Sequence, residues 1–305
     1  MTSGRLRVRA GETRLPLFGA PDKVCAMPDY SAPDDTRLAY HVYGEGPPLV
    51  CLPGGPMQSA AYLGELGGLS AHRQLIMPDP RGTGGSAMPR DPASYRCDRL
   101  VADVEALRVR LGLDRIDLLG HSSGVNLAAR YVERHPERVG RLALITPSVW
   151  AVGIPIPGEV RRETVGPRRD EPWFPAAYAA LEAITEGRAT ADAWGAITPF
   201  SYGRWDEEAR AFESAGEAQR NDEAAGVFAG EGAFDPAATR TALGRFEGPV
   251  LLLAGEVDPG APPVIVREFA GLFPNTEVVV QPGAGHFPWR DDADRFVAAT
   301  AAFLA

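Results

Sequence analysis

Five consecutive residues, Gly120-His121-Ser122-Ser123-Gly124, constrain this chain more than any others. An apolar run, Ile116-Asp117-Leu118-Leu119, leads into them, and Val125-Asn126-Leu127-Ala128-Ala129-Arg130-Tyr131 leads away. The first run reads as a strand. The stretch Ser122 to His135 has a helical pattern and ends just before Pro136. A strand that gives way so abruptly to a helix needs a sharp turn with small residues on both sides, and Gly120 and Gly124 supply them.

The same alternation runs along the chain. Short apolar runs at Pro48 to Pro53, Gln74 to Pro78, Leu142 to Ile145, Pro249 to Ala254 and Glu277 to Val280 read as buried strands. Between them, Leu100, Val101, Val104, Leu107 and Leu111 fall at helical spacing, and a last helix is expected over about Asp292 to Leu304. Tyr30 to Tyr43, with the turn-like Pro33-Asp34-Asp35, reads as a hairpin at one sheet edge. The expected fold class is therefore α/β, a mostly parallel central sheet covered on both faces by helices. From about Trp150 to Phe234 the chain becomes rich in Ala, Glu and aromatics, which suits a helical insertion. This organisation gives an N-terminal arm (1–23), a core built from 24–147 and 236–305, and a helical cap over 148–235.

Ser122 stands at the centre of a G-x-S-x-G string, the pattern of a nucleophile elbow. Such a turn lifts one hydroxyl to the carboxyl edge of the sheet, where α/β folds bind ligands. The backbone N–H of Ser123 lies at the following helix N-terminus and suits an oxyanion. A serine hydroxyl needs a base at neutral pH. Of the five histidines, His41 falls in an edge strand, His72 in a polar turn, His121 inside the elbow as a packing residue, and His135 at a helix end. His286 remains, in the Gly-rich Gly283-Ala284-Gly285-His286-Phe287-Pro288-Trp289 loop directly after a strand. The acid that orients it is expected at Asp258, just past the strand Pro249 to Ala254, with Glu256 as its competitor. In Leu52-Pro53-Gly54-Gly55-Pro56-Met57, glycines let the backbone approach a bound carbonyl, and the Gly55 N–H is the expected second oxyanion donor. Asp79 and Arg81, in the Gly-rich Asp79 to Ser86 loop, are expected to brace turns around the site; that loop has neither a P-loop string nor dinucleotide spacing.

The net charge of −9 speaks against nucleic acid as a partner, since phosphate binding needs a basic surface. No run approaches a membrane span, and Met1 to Ala20 lacks the apolar stretch of a secretory signal, so a cytoplasmic protein without a membrane partner is expected. Three cysteines, none in a CxxC pair, support neither a disulfide framework nor a metal site. The chemistry outlined needs no cofactor.

With PGGP at Pro53 to Pro56, DPRGTGGS at Asp79 to Ser86, GHSSG at Gly120 to Gly124, GEVD at Gly255 to Asp258 and GAGHFPW at Gly283 to Trp289, the sequence resembles the α/β-hydrolase superfamily. Within it, the chain is similar to the group that includes prolyl iminopeptidases, from about Tyr30 onwards. Two positions depart from that group, which usually has histidine where Pro53 stands and tryptophan where Ser123 stands; the elbow is closer to that of general esterases. The resemblance implies acidic cap residues that hold a substrate's free amine, for which Asp222, Glu223 and Glu231 are candidates beside the reading of solvated helix charges. Relatives that act as epoxide hydrolases or dehalogenases use aspartate where Ser122 stands. The expected activity is hydrolysis of an ester or amide of a small-molecule acyl or aminoacyl substrate through an acyl-enzyme. A proline-specific aminopeptidase, a tailoring thioesterase, and a low-turnover ligand-binding or receptor protein on the same fold are the alternatives.

Overall fold

The computed structural model describes residues 27–305; the N-terminal arm expected over 1–23 and Cys25 lie outside the described residues. Eight strands form one sheet: β1 (Asp29–Ser31), β2 (Arg37–Tyr43), β3 (Pro48–Leu52), β4 (Gln74–Pro78), β5 (Ile116–His121), β6 (Val139–Ile145), β7 (Val250–Gly255) and β8 (Thr276–Gln281). Their order is β1-β2-β4-β3-β5-β6-β7-β8. The β1–β2 pair is antiparallel, as the hairpin reading of Tyr30 to Tyr43 expects; β2–β4 is antiparallel too, and the other five pairs are parallel.

The core strands are apolar on both faces because both faces are covered. Val50, Leu52, Leu118, Leu142, Leu144, Leu252 and Ala254 point into one buried cluster. Their chain neighbours Leu49, Cys51, Leu119, Ala143, Ile145, Leu251 and Leu253 point into the other. Helices α1 (Cys97–Arg110) and α2 (Gly124–Arg134) close the first face. Leu100, Val101, Val104 and Leu107 form the buried stripe of α1, which stops where Gly112 takes a φ of +68°. Between β6 and β7 lie α3 (Gly158–Thr164), α4 (Phe174–Thr185), α5 (Ala191–Ala196), α6 (Glu207–Glu217), α7 (Asp222–Phe228) and α8 (Pro236–Leu243). Phe200 packs there with Val165, Ala177 and Leu181 in a small core of its own. Helix α9 (Pro263–Ala270) separates β7 from β8, and the chain ends on α10 (Pro288–Asp291) and α11 (Ala293–Leu304).

Of two helix boundaries read from the sequence, one holds and one shifts. The terminal helix expected over about Asp292 to Leu304 is α11, whose N-cap Asp292 (φ −151°) accepts from the Arg295 N–H and separates it from the short α10. Helix α2 begins at Gly124 rather than Ser122, because Ser122 itself sits in the left-handed region at φ +53°. That backbone conformation is unfavourable for a residue with a Cβ. It is held by the Ser122 N–H donating to the Ile145 carbonyl (3.0 Å) and by the Ser122 carbonyl accepting from Val125 (3.0 Å) and Ser148 (3.1 Å).

The elbow also depends on close approach of two chain segments. A Cβ on Gly124 would stand 2.4 Å from the Leu52 carbonyl oxygen and 2.5 Å from that of Pro53. Gly124→Ala should therefore destabilise the fold by about 3 kcal/mol or more, since rigid backbone on both sides must move. Urea denaturation measures this directly, and an unchanged midpoint would show that the segments can part freely.

Candidate active site

The site forms at the carboxyl edge of the sheet because the parallel strands β3, β5, β7 and β8 all deliver their following loops there. Ser122 follows β5, the Gly54-Gly55 loop follows β3, Asp258 follows β7 and His286 follows β8. Ser122 Oγ lies 2.8 Å from His286 Nε2, and His286 Nδ1 lies 2.7 Å from Asp258 Oδ2. The carboxylate can only accept, so Nδ1 carries a proton and Nε2 is left to accept from the serine hydroxyl. The Asp258 side chain is 2% exposed and that of His286 20%. Asp258 Oδ1 is satisfied by the Gly260 N–H at 2.8 Å. Burial alone would pull the His286 pKa down, but the charge and hydrogen bond of Asp258 outweigh it and hold the imidazole above its ordinary 6.5. Glu256, the competing acid, is exposed and accepts from the Gly283 N–H (2.7 Å) instead.

The two expected anion donors have complementary surroundings. Among the described residues, neither the Gly55 nor the Ser123 backbone N–H has a hydrogen-bond acceptor. The neighbouring Gly54 N–H is occupied, donating to the Tyr62 hydroxyl at 2.7 Å. Glycine is required at 54, where a Cβ would stand 2.8 Å from Ser122 Cβ. Asp79 braces the turn beside the oxyanion loop, whereas Arg81, expected to do the same, ties instead to Asp103 on α1 and to Asp34. The Asp79 carboxylate accepts from Ser59 Oγ (2.7 Å) and the Ala60 N–H (2.8 Å), just beyond the oxyanion loop. It also accepts from the Gly85 N–H at 2.9 Å. Arg81 forks onto Asp103 with two bonds of 2.6 Å.

Above the nucleophile lies a cleft of about 200 Å³. Gly55, Gln58, Ser122 and His286 contribute from the core side, and Tyr202, Phe212, Glu213, Glu217 and Arg220 from the other. The acidic side chains on this cleft are thus Glu213 and Glu217, both on α6. Glu223 and Glu231, the residues singled out from the sequence, do not line it: both are exposed, Glu223 in the first turn of α7 and Glu231 beyond its end. The reason is helix facing. Helix α7 turns Ala224 and Phe228 inwards, which leaves Glu223 on the solvent side. Sequence inspection passed over Glu213 and Glu217; their separation of four residues, one helical face, was the available signal. Of the aromatics between Trp150 and Phe234, Tyr202 and Phe212 line the cleft, whereas Trp194 is 61% exposed.

Helix α6 is tied down at both ends. Before it, the Ser201 carbonyl accepts from the His286 N–H (2.7 Å). The Asp291 carboxylate bridges the Gly203 N–H (2.9 Å) and the Gly285 N–H (2.8 Å). After it, the Ser59 N–H donates to the Gln219 carbonyl (3.0 Å) and the Asn221 N–H to the Met57 carbonyl (3.0 Å). Asn221 Nδ2 reaches the Gly82 carbonyl at 2.9 Å. One tether thus ends on the histidine loop and the other just past the oxyanion loop.

Among the described residues, no group of three or more His, Cys, Asp or Glu side chains could hold a metal ion, and no helix is long and apolar enough to cross a membrane. Cys51 and Cys97 are free and buried, and burial pushes both thiols well up.

A family model described as the alpha/beta hydrolase fold matches residues 47–292. Among curated proteins, a proline iminopeptidase from Heyndrickxia coagulans is 37% identical over 108 residues, which is 35% of this chain and 38% of that protein. The chain spans about two fifths of the length of the curated relatives it matches. Among solved structures, an esterase from Rhodococcus sp. ECU1013 superposes with a TM-score of 0.70 at 24% identity, over 92% of this chain and 98% of that one. A proline iminopeptidase from Mycobacterium smegmatis gives 0.66 at 24% identity, over 91% and 97%.

Proposed function

The chain belongs to the alpha/beta hydrolase fold family, and from that premise we propose that it is a serine hydrolase that cleaves a carboxylic ester or amide through an acyl-enzyme. The observation that carries this reading is the directed Ser122–His286–Asp258 chain, with both contacts at 2.8 Å or less. His286 takes the Ser122 proton as the oxygen attacks the carbonyl carbon. Asp258 holds the imidazole in the required tautomer and stabilises its cation. The carbonyl oxygen, now negative, is held by the Gly55 and Ser123 N–H groups. His286 then returns the proton to the leaving alcohol or amine. Water deacylates Ser122 in the same way, its proton going to His286 and then back to the serine oxygen. No step in this sequence draws on a cofactor.

In this reading, residues 24–147 and 236–305 are the catalytic core and 148–235 the cap. Assignment of α8 to the core is supported by its anchoring on α2, where Thr239 Oγ1 donates to Glu133 at 2.6 Å. The substrate is a small molecule, because the cleft is small and half-roofed by α6. Glu213 and Glu217 on that roof favour a second reading within the same class, an aminopeptidase whose substrate presents a cationic amine beside the scissile bond. Substitution at the positions of Pro53 and Ser123 weighs the other way, towards an esterase.

A fluorophosphonate probe and a two-substrate panel test the proposal. The probe should label Ser122, located by peptide mapping. Wild-type protein that is never labelled and turns over neither a p-nitrophenyl acyl ester nor a prolyl arylamide would remove it from the hydrolases and favour a binding role. Preference for the arylamide would select the aminopeptidase reading, and preference for the ester the esterase.

A further inference from the structure

His121, inside the elbow, is more than packing. Its ring is buried and touches two loops at once. Nδ1 lies 2.6 Å from the Tyr62 hydroxyl, and Nε2 lies 2.9 Å from the backbone carbonyl of His286. The polarity of these contacts follows from the end groups. A carbonyl oxygen only accepts, so Nε2 must carry a proton. Burial, with the nearby His286 adding to it, holds the His121 pKa well below its ordinary value, so the ring is neutral and Nδ1 is bare. Tyr62 must then donate to Nδ1, which leaves its oxygen to accept from the Gly54 N–H at 2.7 Å. Burial raises the Tyr62 pKa far enough to keep its hydroxyl protonated for that donation. Thr146 Oγ1 adds a second donor to the His286 carbonyl at 3.0 Å.

The result is one unbroken chain with a single direction: Gly54 N–H to Tyr62 O–H to His121 Nδ1, then His121 Nε2–H to the His286 carbonyl. It runs from the oxyanion loop to the backbone of the histidine, beneath the nucleophile. Its members are also clamped by aromatic neighbours: the Tyr62 ring centroid lies 5.6 Å from that of His121, and Trp289 stands edge-on to His121 at 4.8 Å.

We propose that Tyr62 and His121 are positioning residues that fix the oxyanion loop and the catalytic histidine relative to each other through this directed hydrogen-bond chain; the proposal rests on the serine-hydrolase reading of the site. The chain has two effects. It engages the Gly54 amide, so that the loop presents the Gly55 amide to the substrate. It also fixes the His286 backbone from below, while Asp258 fixes its ring from the side.

Two measurements test it. Tyr62→Phe keeps the ring and deletes the hydroxyl; His121→Leu removes the next link. Each should lower kcat on the preferred ester or arylamide by about 10- to 100-fold, as misplacement of reacting groups does, with KM unchanged within about threefold. The double variant should lose no more than the worse single one, because either substitution breaks the same chain. Additive losses, a change confined to KM, or wild-type kcat in either variant would overturn the proposal. The second measurement is independent of turnover and of variant folding. Nitrogen-15 NMR of the wild-type histidines should show His121 protonated on Nε2 only, without titration around neutral pH. A His121 that titrates in that range, or that carries its proton on Nδ1, would refute the chain's polarity. Absence of Ser122 labelling in the wild type would instead count against the hydrolase reading, and the NMR result would still report on the chain.

Discussion

Ser122→Ala should abolish hydrolysis, lowering kcat by about 10⁶-fold while leaving the fold intact. Loss of the nucleophile in a serine triad typically costs that much, and a residual rate over water of about 10³ to 10⁴ persists from the oxyanion donors and binding. The fold should tolerate the change because the left-handed backbone at φ +53° is set by main-chain hydrogen bonds to Ile145, Val125 and Ser148, none of which involves Oγ. Steady-state kinetics on the preferred substrate, with circular dichroism as the folding control, gives the answer. Turnover within tenfold of wild type would mean that another group makes the covalent bond or that none is made.

Asp258→Asn should be the next most damaging change, costing about 10⁴-fold in kcat by favouring the wrong imidazole tautomer. It should also move the pH profile in a defined direction. His286 works as a base only when neutral, so activity falls as pH drops through its pKa. In the wild type that pKa is raised above 6.5, because Asp258's charge and hydrogen bond overcome desolvation by burial. The acid limb of kcat/KM in the free enzyme should therefore have its midpoint above 6.5. Removing the charge leaves burial as the dominant influence, so the residual activity of the variant should hold to lower pH. A midpoint that stays put in Asp258→Asn would show that some other carboxylate, with exposed Glu256 the nearest in sequence, sets the histidine.

The strand–loop grammar made much of this site legible before any coordinates. Ser122, His286 and Asp258 each come directly after an apolar run, and in a parallel sheet every such position opens at the same edge. The place of Gly55 on the cleft was legible for a related reason, since paired glycines after a strand signal close backbone approach. The sheet itself was legible in β3 to β8, whose runs are apolar on both faces. What escaped was set by facing rather than by order. Glu213 and Glu217 reach the cleft only because α6 docks with that face down, whereas Glu223 faces away because Ala224 and Phe228 claim the inner side of α7. Tyr62 escaped for a third reason: its hydroxyl meets His121 through a short helical turn at Ala60–Leu63 that carries no motif of its own.

The tethers on α6 have a consequence for traffic through the site. Lifting that helix away from the nucleophile would break at least five hydrogen bonds, to Ser201, Gly203, Gln219 and twice to Asn221. At about 1 kcal/mol net for each, the raised form costs about 5 kcal/mol and is populated about once in several thousand molecules. On the serine-hydrolase reading, substrates would therefore not wait for a door to swing. They would pass a sieve whose mesh is the gap left beside α6, admitted or refused by girth before any chemistry begins. Widening that mesh, by trimming Phe212 for example, is the direct route to admitting bulkier acyl groups without touching the reacting atoms.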